Sequence, residues 1–222
     1  MKMKYAAAVA ALLLATLTGA ARAEVLITEW AYSAGSGEYV EFTNVGNTAV
    51  DMTGWSYDDD GQVPGSFSLS GLGTLAPGES AIMAESSEAA FRASWVLAPA
   101  IKVVGGNTNN LGRNDQINLY DSSDALADRL SFGDQTFPGT IRTQNVSGNP
   151  MTLAALGAND VSQWQLSFVG DAYGSYLSTF GDIGNPGIGT YVVPEPSAVV
   201  LMVLGGLSLC ALRARRSGRR VA

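Results

Sequence analysis

Short apolar or alternating runs follow one another between residues 25 and 132, and clusters of Gly, Asn, Asp and Pro separate them. Runs of this length between turn residues are typical of strands in an all-β domain. A β-sandwich is therefore expected, with one short helix at 86–95 that Ser86 or Ser87 would cap. The predicted strands are 25–30, 39–43, 55–57, 66–69, 81–84, 101–104, 116–120 and 126–132.

Three local patterns make this prediction more specific. In residues 38–44 two adjacent apolar residues break the strict alternation, which indicates either a bulge or burial on both faces of the strand. Pro77 and Gly78 predict a type II turn, because glycine adopts the positive φ of that turn without strain. Trp55, which follows a glycine, is expected to fill the core.

The N-terminus has the three parts of a secretory signal peptide. Two lysines precede an apolar run over 5–17, which is shorter than a membrane-spanning helix. Ala21 and Ala23 are the small residues that signal peptidase requires, so we expect cleavage after Ala23 and exclude residues 1–23 from the fold. A permanent N-terminal anchor is the alternative.

A second apolar segment, 198–212, contains no charged residue. Its 15 residues rise about 1.5 Å each and span about 23 Å, less than the ~30 Å hydrocarbon core, so a single weak membrane span is expected. The arginines after it would hold that end in the cytoplasm and place the preceding domain outside. They are Arg213, Arg215, Arg216, Arg219 and Arg220, within residues 213–220.

Pro194, Glu195 and Pro196 stand just before this apolar segment. The two prolines favour an extended backbone, which a protease can recognise. Together with the short hydrophobic helix and the arginine-rich end, they resemble the PEP-CTERM sorting tail of Gram-negative bacteria that make exopolysaccharide. The resemblance implies that residues 191–222 hold the chain transiently in the inner membrane until an exosortase processes them, and that the protein then reaches the cell surface or extracellular matrix. An ordinary tail anchor is the alternative.

The exported part, residues 24–193, is strongly acidic. Its 19 acidic and five basic residues give a net charge of −14, against −7 for the whole chain. This charge repels nucleic acid and anionic lipid, so neither is an expected partner, whereas cations and neutral polysaccharide remain compatible. The single cysteine, Cys210, lies in the apolar segment, so the exported part contains no disulfide.

A second resemblance rests on Ile27-Thr28-Glu29, Glu38 to Asn44, Val50 to Trp55 and Leu75 to Glu79, and more loosely on Trp164 to Ser167 and Gly184 to Gly187. These stretches, in this order, resemble the lamin-tail domain of nuclear lamins and many exported bacterial proteins. The resemblance implies an immunoglobulin-like β-sandwich over residues 24–190. Residues 135–161 depart from the family and are expected to form an insertion.

The chain has no histidine, which excludes Ser-His-Asp and Cys-His nucleophile systems and most zinc sites. Carboxylates are the remaining chemistry. Asp58, Asp59, Asp60 and Gly61 have the acid density and turn glycine of a calcium loop, without the EF-hand spacing. Calcium is the one cofactor that this pattern suggests, and a solvated hairpin tip is the alternative.

Two functions follow from these observations. The first is a non-enzymatic surface or matrix module, processed by signal peptidase and an exosortase and associated with exopolysaccharide. The second is a carboxylate-dependent enzyme that acts on extracellular polysaccharide, which would need two carboxylates facing each other in a concave pocket. The first is the reading that the sequence favours, and no residue is assigned a catalytic role.

Overall fold

The computed structural model describes residues 24–188 and Tyr191. All eight predicted strands are present, together with additional short strands. The strands are β1 Val25–Ala31, β2 Tyr39–Asn44, β3 Val50–Asp51, β4 Ser56–Asp58, β5 Phe67–Ser68, β6 Thr74–Leu75, β7 Ser80–Ala84, β8 Lys102–Gly105, β9 Asn114–Tyr120, β10 Leu126–Gly133, β11 Gly148–Pro150, β12 Trp164–Leu166, β13 Tyr176–Leu177 and β14 Ile183–Gly184; the α-helix, α1, is Glu88–Trp95.

Two sheets form the body of the domain. The larger has the strand order β12-β11-β1-β2-β7-β8, and the smaller has the order β10-β9-β4-β5. Strands β7 and β8 run parallel, and the other paired strands run antiparallel. Two further pairs, β3 with β6 and β13 with β14, lie outside these sheets. The architecture is predominantly β, consistent with the expected immunoglobulin-like sandwich.

Aromatic and aliphatic side chains from both sheets fill the space between them. The Trp30 ring centroid lies 4.9 Å from that of Trp164 and 5.3 Å from that of Phe132, which links the two sheets. Trp55 does not fill this core as expected and is only partly buried against it. Trp55 immediately precedes β4. The nearby Met52 is the residue that is fully buried in this core.

Helix α1 covers part of the outer face of the larger sheet. Its Phe91 and Trp95 pack against Tyr39 and Ile82, which point away from the central core. Strand β2 is therefore buried on both faces, as its broken alternation predicted. The helix begins where predicted, because the Ser87 hydroxyl accepts a hydrogen bond from the Ala90 N–H.

The predicted turn is also found, whereas the bulge that was one alternative for 38–44 lies elsewhere. Gly78 has a φ of +76°, and the Glu79 N–H donates to the Ala76 carbonyl, as expected of the turn between β6 and β7. The bulge lies in the neighbouring strand β1, at Thr28, where the register with β2 shifts. The bulge leaves the Ile27 N–H to donate to Asp128 of the opposite sheet at 2.8 Å.

The C-terminal part of the domain completes the larger sheet. Within the predicted insertion, 135–161, β11 pairs with β1, so this segment contributes a strand as well as loops. The next strand, β12, pairs with β11 and forms the edge of the sheet. The chain then returns across the outer face of the sheet.

Candidate functional site

The residues predicted to direct sorting lie outside the described part of the chain, as does the apolar segment 198–212. Among the described residues, no helix is long and apolar enough to cross a membrane. The sorting signals therefore stay predictions. They are Ala21 and Ala23 at the cleavage site, Pro194, Glu195 and Pro196 in the sorting motif, and Arg213, Arg215, Arg216, Arg219 and Arg220 after the apolar segment.

Asp58, Asp59 and Asp60 lie at the end of β4, in the turn that leads to β5. The carboxylate of Asp58 accepts hydrogen bonds from the Val63 N–H at 2.6 Å and the Asn109 side chain at 3.0 Å. The carboxylate of Asp59 accepts from the Gly61 N–H at 3.0 Å. Two of the three predicted metal ligands thus hold the loop itself in place.

The third aspartate approaches another acidic residue through its backbone. The Asp60 N–H donates to the Asp115 carboxylate at 3.2 Å. Burial raises the pKa of Asp115, and the nearby charges of Asp60 and Asp59 raise it further. In the described part of the chain, no group of three or more acidic, Cys or His side chains is arranged to hold a metal ion. The calcium loop stays a prediction.

A layer of polar side chains is buried on the outer face of the larger sheet, beside the part that α1 covers. We call it the buried polar layer; at most 7% of any of its residues is exposed. Its acidic members, Glu29 and Glu41, are fully buried on the neighbouring strands β1 and β2, where they form a cross-strand pair. The other members are Thr28, Thr43, Ser80, Ser147, Asn149, Ser167 and Asn185.

Hydroxyl groups donate to this layer from within the sheet, although Glu29 Oε2 and Asn185 Nδ2 have no hydrogen-bond partner among the described residues. The Tyr39 hydroxyl donates to Glu29 Oε1 at 2.7 Å, and the Thr28 hydroxyl donates to Glu41 Oε1 at 2.7 Å. A chain of hydroxyl contacts continues from Thr28 to Thr43 at 2.8 Å and on to Ser80 at 2.7 Å. The row crosses three strands and connects their outer faces.

The two glutamates also hold the end of the domain. We call residues 183–188 and Tyr191 the closing segment. The Asn185 N–H donates to Glu29 Oε1 and the Gly187 N–H donates to Glu41 Oε2, each at 2.7 Å. Two carboxylates of the sheet thus accept two backbone N–H groups of the closing segment.

Side chains add to this attachment. Asn149 donates to the Asn185 side chain at 2.8 Å, and the Tyr191 hydroxyl donates to Asn149 at 3.3 Å. Tyr191 also packs with Leu26 and Val45, and 6% of its surface is exposed. The closing segment is therefore an integral part of the sandwich.

Burial shifts the protonation of these acids. It is the main cause that raises the pKa of Glu29, and the charge of Glu41 raises it further; burial likewise raises the pKa of Glu41. Glu38, immediately before β2, has its pKa raised to about 8, mainly by burial. The ion pairs among the described residues join Arg92 to Glu88, Lys102 to Glu79 and Arg113 to Asp134. The buried acids are thus stabilised by hydrogen bonds.

A shallow cleft of about 720 Å³ lies between the β1–β2 loop, α1 and the turn at 179–180. Small residues and backbone form most of its lining, and its carboxylate is Glu85. Both oxygens of Glu85 accept hydrogen bonds, from the Glu38 N–H at 3.1 Å and from Asn110 at 3.3 Å. The cleft thus presents one carboxylate, whereas a glycosidase uses two.

Sequence reasoning assigned no role to Glu29 and Glu41, although both lie in the stretches that resemble the lamin-tail domain. The signal was present as acidic residues inside strands flanked by apolar positions. A strand buried on both faces forces such residues inward, where they need hydrogen-bond donors.

The fold and the site define a class of structural domain, an all-β sandwich whose buried carboxylates bind its own backbone. A profile of the Lamin Tail Domain matches residues 18–134, which is more than half of the 222-residue chain. The chain therefore belongs to the lamin tail domain family, a structural immunoglobulin-like fold that is generally non-enzymatic. No match was found among curated proteins.

The matched range has a structural boundary. It contains β1 to β10, and it ends before β11. The two edge strands β11 and β12, the β13–β14 pair and the closing segment lie beyond it. The buried polar layer is thus built from both parts, with its glutamates in the matched range and its asparagines beyond it.

Proposed function

We propose that this chain is a non-enzymatic display module of the cell surface or extracellular matrix. Signal peptidase removes residues 1–23, the inner membrane holds the C-terminal segment transiently, and an exosortase processes the chain near Pro194-Glu195-Pro196. The module then stays with the exopolysaccharide matrix.

The attachment of Tyr191 carries this proposal. Tyr191 is buried and its hydroxyl bonds to Asn149, so the described sandwich is closed at this residue. The sorting motif begins three residues later, at Pro194. Cleavage at the motif would therefore leave the closing segment and both glutamate attachments intact. A domain that is complete before its processing site is suited to display.

The charge of the domain supports a neutral partner. At −14, the exported part repels nucleic acid and other polyanions, whereas neutral polysaccharide carries no such penalty. Exposed strands and loops can offer hydrogen bonds to sugar hydroxyls without a cofactor. Calcium bound at Asp58, Asp59 and Asp60 remains a proposal of the sequence.

The alternative, a carboxylate-dependent enzyme, needs an accessible pair of acids. Glu29 and Glu41 form a cross-strand pair, but both are fully buried and both accept backbone N–H groups. Their geometry supports an architectural role. Glu85 in the shallow cleft is the acid that such an enzyme would have to use.

A pull-down of residues 24–191 on the exopolysaccharide of the producing cell separates the two functions. The proposal predicts binding with no change in polymer length. Shortening of the polymer, abolished by Glu85→Gln, would instead establish the enzyme. The experiment is run in calcium chloride and in sodium chloride of equal ionic strength, because screening depends only on ionic strength. Any calcium-specific binding should disappear in the Asp58→Asn, Asp60→Asn variant if the loop is the metal site.

A further inference from the structure

Four extended segments lie side by side near the edge of the larger sheet that β11 and β12 form. The Ser167 N–H donates to the Ser147 carbonyl at 2.9 Å, and the Ser147 N–H donates to the Ile183 carbonyl at 2.8 Å. Ile183 is in turn paired with Leu177 in the β13–β14 hairpin, and it forms a bridge with Val146. Their order is thus β12, the segment before β11, β14 and β13.

These segments place polar side chains on their buried face and apolar side chains on their exposed face, the reverse of the usual arrangement. The hydroxyls of Ser147 and Ser167 meet at 2.6 Å on the buried face. Because side chains alternate along extended chain, their neighbours point to the opposite face. That face is apolar, and we call it the apolar rim: Val146, Leu166, Phe168, Leu177 and Ile183.

The apolar rim is accessible. Phe168 is 59% exposed, Leu177 57% and Leu166 37%, while Val146 and Ile183 are half-buried. Single exposed apolar residues are common, but a contiguous set on paired strands indicates a contact surface. In an ordinary amphipathic strand the serines would face solvent and the apolar residues would be buried. Here Ser147 and Ser167 are buried and the apolar residues are exposed or half-buried, so ordinary amphipathicity does not explain the rim.

The stretch of chain that carries the rim has no basic residue and few acidic ones. No lysine or arginine occurs between Arg142 and Arg213 in the sequence. The acids close to rim residues in the chain accept backbone hydrogen bonds: Asp171 accepts from the Phe168 N–H at 3.1 Å, and Asp182 accepts from the Gly35 N–H at 2.9 Å. A partner can therefore cover the rim without desolvating an unpaired charge.

The position of the chain end selects the partner. The Tyr191 hydroxyl bonds to Asn149, which lies three residues from Val146, or about 10 Å at ~3.3 Å per residue. The apolar segment 198–212 begins after six further residues, which reach about 21 Å at most when extended. A membrane that holds this segment is thus within reach of the rim.

We propose that the apolar rim rests on the lipid bilayer surface while the C-terminal segment is still in the membrane. This inference rests on the membrane segment of the proposed function. The rim lies wholly beyond residues 18–134, so it is a feature of this chain's own C-terminal part rather than of the matched range. The contact orients the domain beside its sorting motif.

Residues 24–191 contain all three hydrophobic clusters complete and lack the membrane segment, so they test the rim alone. Cosedimentation with vesicles of phosphatidylcholine should show binding, because a neutral rim needs no anionic lipid. Added anionic lipid should weaken binding, since the domain carries −14. The Phe168→Ser, Leu177→Ser variant should lower the partition coefficient about tenfold or more.

The matched control is Val63→Ser, Leu126→Ser, which removes apolar side chains that are 56% and 47% exposed elsewhere. It should bind as the wild type does, and circular dichroism verifies that both variants are folded. The proposal is overturned if the wild type does not sediment with vesicles, or if the rim variant and the control behave alike.

A second copy of the chain is the competing occupant. If sedimentation equilibrium shows a wild-type dimer that the rim variant dissociates, the rim is a dimer interface and the membrane proposal is wrong. Processing of the tail is measured separately, by the mass of the full chain, so failure of the proposed function leaves the vesicle result readable.

Discussion

Glu29 and Glu41 give the clearest physical information at the scale of single residues. Each carboxylate is buried on the outer face of the larger sheet and accepts hydrogen bonds from a hydroxyl and a backbone N–H. Burial favours the protonated form of a carboxyl, and two adjacent carboxyls disfavour double ionisation. The pair therefore holds a proton to a higher pH than free glutamate does.

This predicts a dependence of stability on pH. A carboxyl whose pKa is raised by folding binds its proton more tightly in the folded state. Its contribution to stability is complete below the unfolded value, near 4.5, and is lost as the pH rises through the folded value. We therefore expect a larger free energy of unfolding at pH 5 than at pH 8, with each such carboxyl contributing a slope of up to about 1.4 kcal/mol per pH unit.

The Glu29→Gln, Glu41→Gln variant tests the origin of that slope. Urea unfolding at several pH values should show a smaller slope, and Glu38, with its pKa raised to about 8, should supply part of what remains. Glu88→Gln, on the exposed face of α1, is the matched control and should keep the wild-type slope. Equal slopes in wild type and double variant would show that the pair titrates alike in the folded and unfolded chain.

At the scale of elements, the sequence was informative about strands and less so about what covers them. The predicted strands and the capped helix are present because apolar runs, turn residues and Ser87 act locally. Some short strands, such as β11 and β13, were missed because tertiary pairing defines them. The expectation for Trp55 failed because a strand pattern does not show where a sheet ends.

The end of α1 contains a residue that is poorly suited to its conformation. Val96 follows the helix with a φ of +51° and is 79% exposed. Left-handed backbone costs an L-residue about 1–2 kcal/mol, and glycine is the usual residue at this position. Val96→Gly should therefore raise the free energy of unfolding by up to about 1 kcal/mol after the entropy cost of glycine. Thermal melting measures it.

Val63→Gly is the control for that substitution. Val63 is also exposed but does not have a positive φ, so glycine brings only its entropy cost there and should lower stability slightly. If Val96→Gly melts below the wild type, strain at this helix end does not limit the stability of the domain.

At the scale of the whole molecule, the fold could be anticipated better than the site. The resemblance in 38–44 led to the correct family, because its residues include both core positions and the polar layer. The attachment of the closing segment could not be anticipated, because Glu29 meets Asn185 across a separation of 156 residues. Such contacts depend on the register of strands that local patterns leave open.

The acidity of the domain is likewise explained by contacts that only the folded chain reveals. A net charge of −14 suggested metal binding. In the structure Asp58, Asp128 and Asp182 accept backbone N–H groups where loops and strands leave them unpaired. Many of the acids thus take part in folding, and the rest give the domain a charge that repels polyanions.

The central claim is that a complete sandwich is exported and then released at its sorting motif, and the intact mass of the protein at the surface of exosortase-carrying cells tests it most directly. The account predicts a chain that begins at Glu24, ends near Pro194 to Pro196 and retains Tyr191. A surface protein that still carries Arg213 to Ala222 in such cells would contradict it.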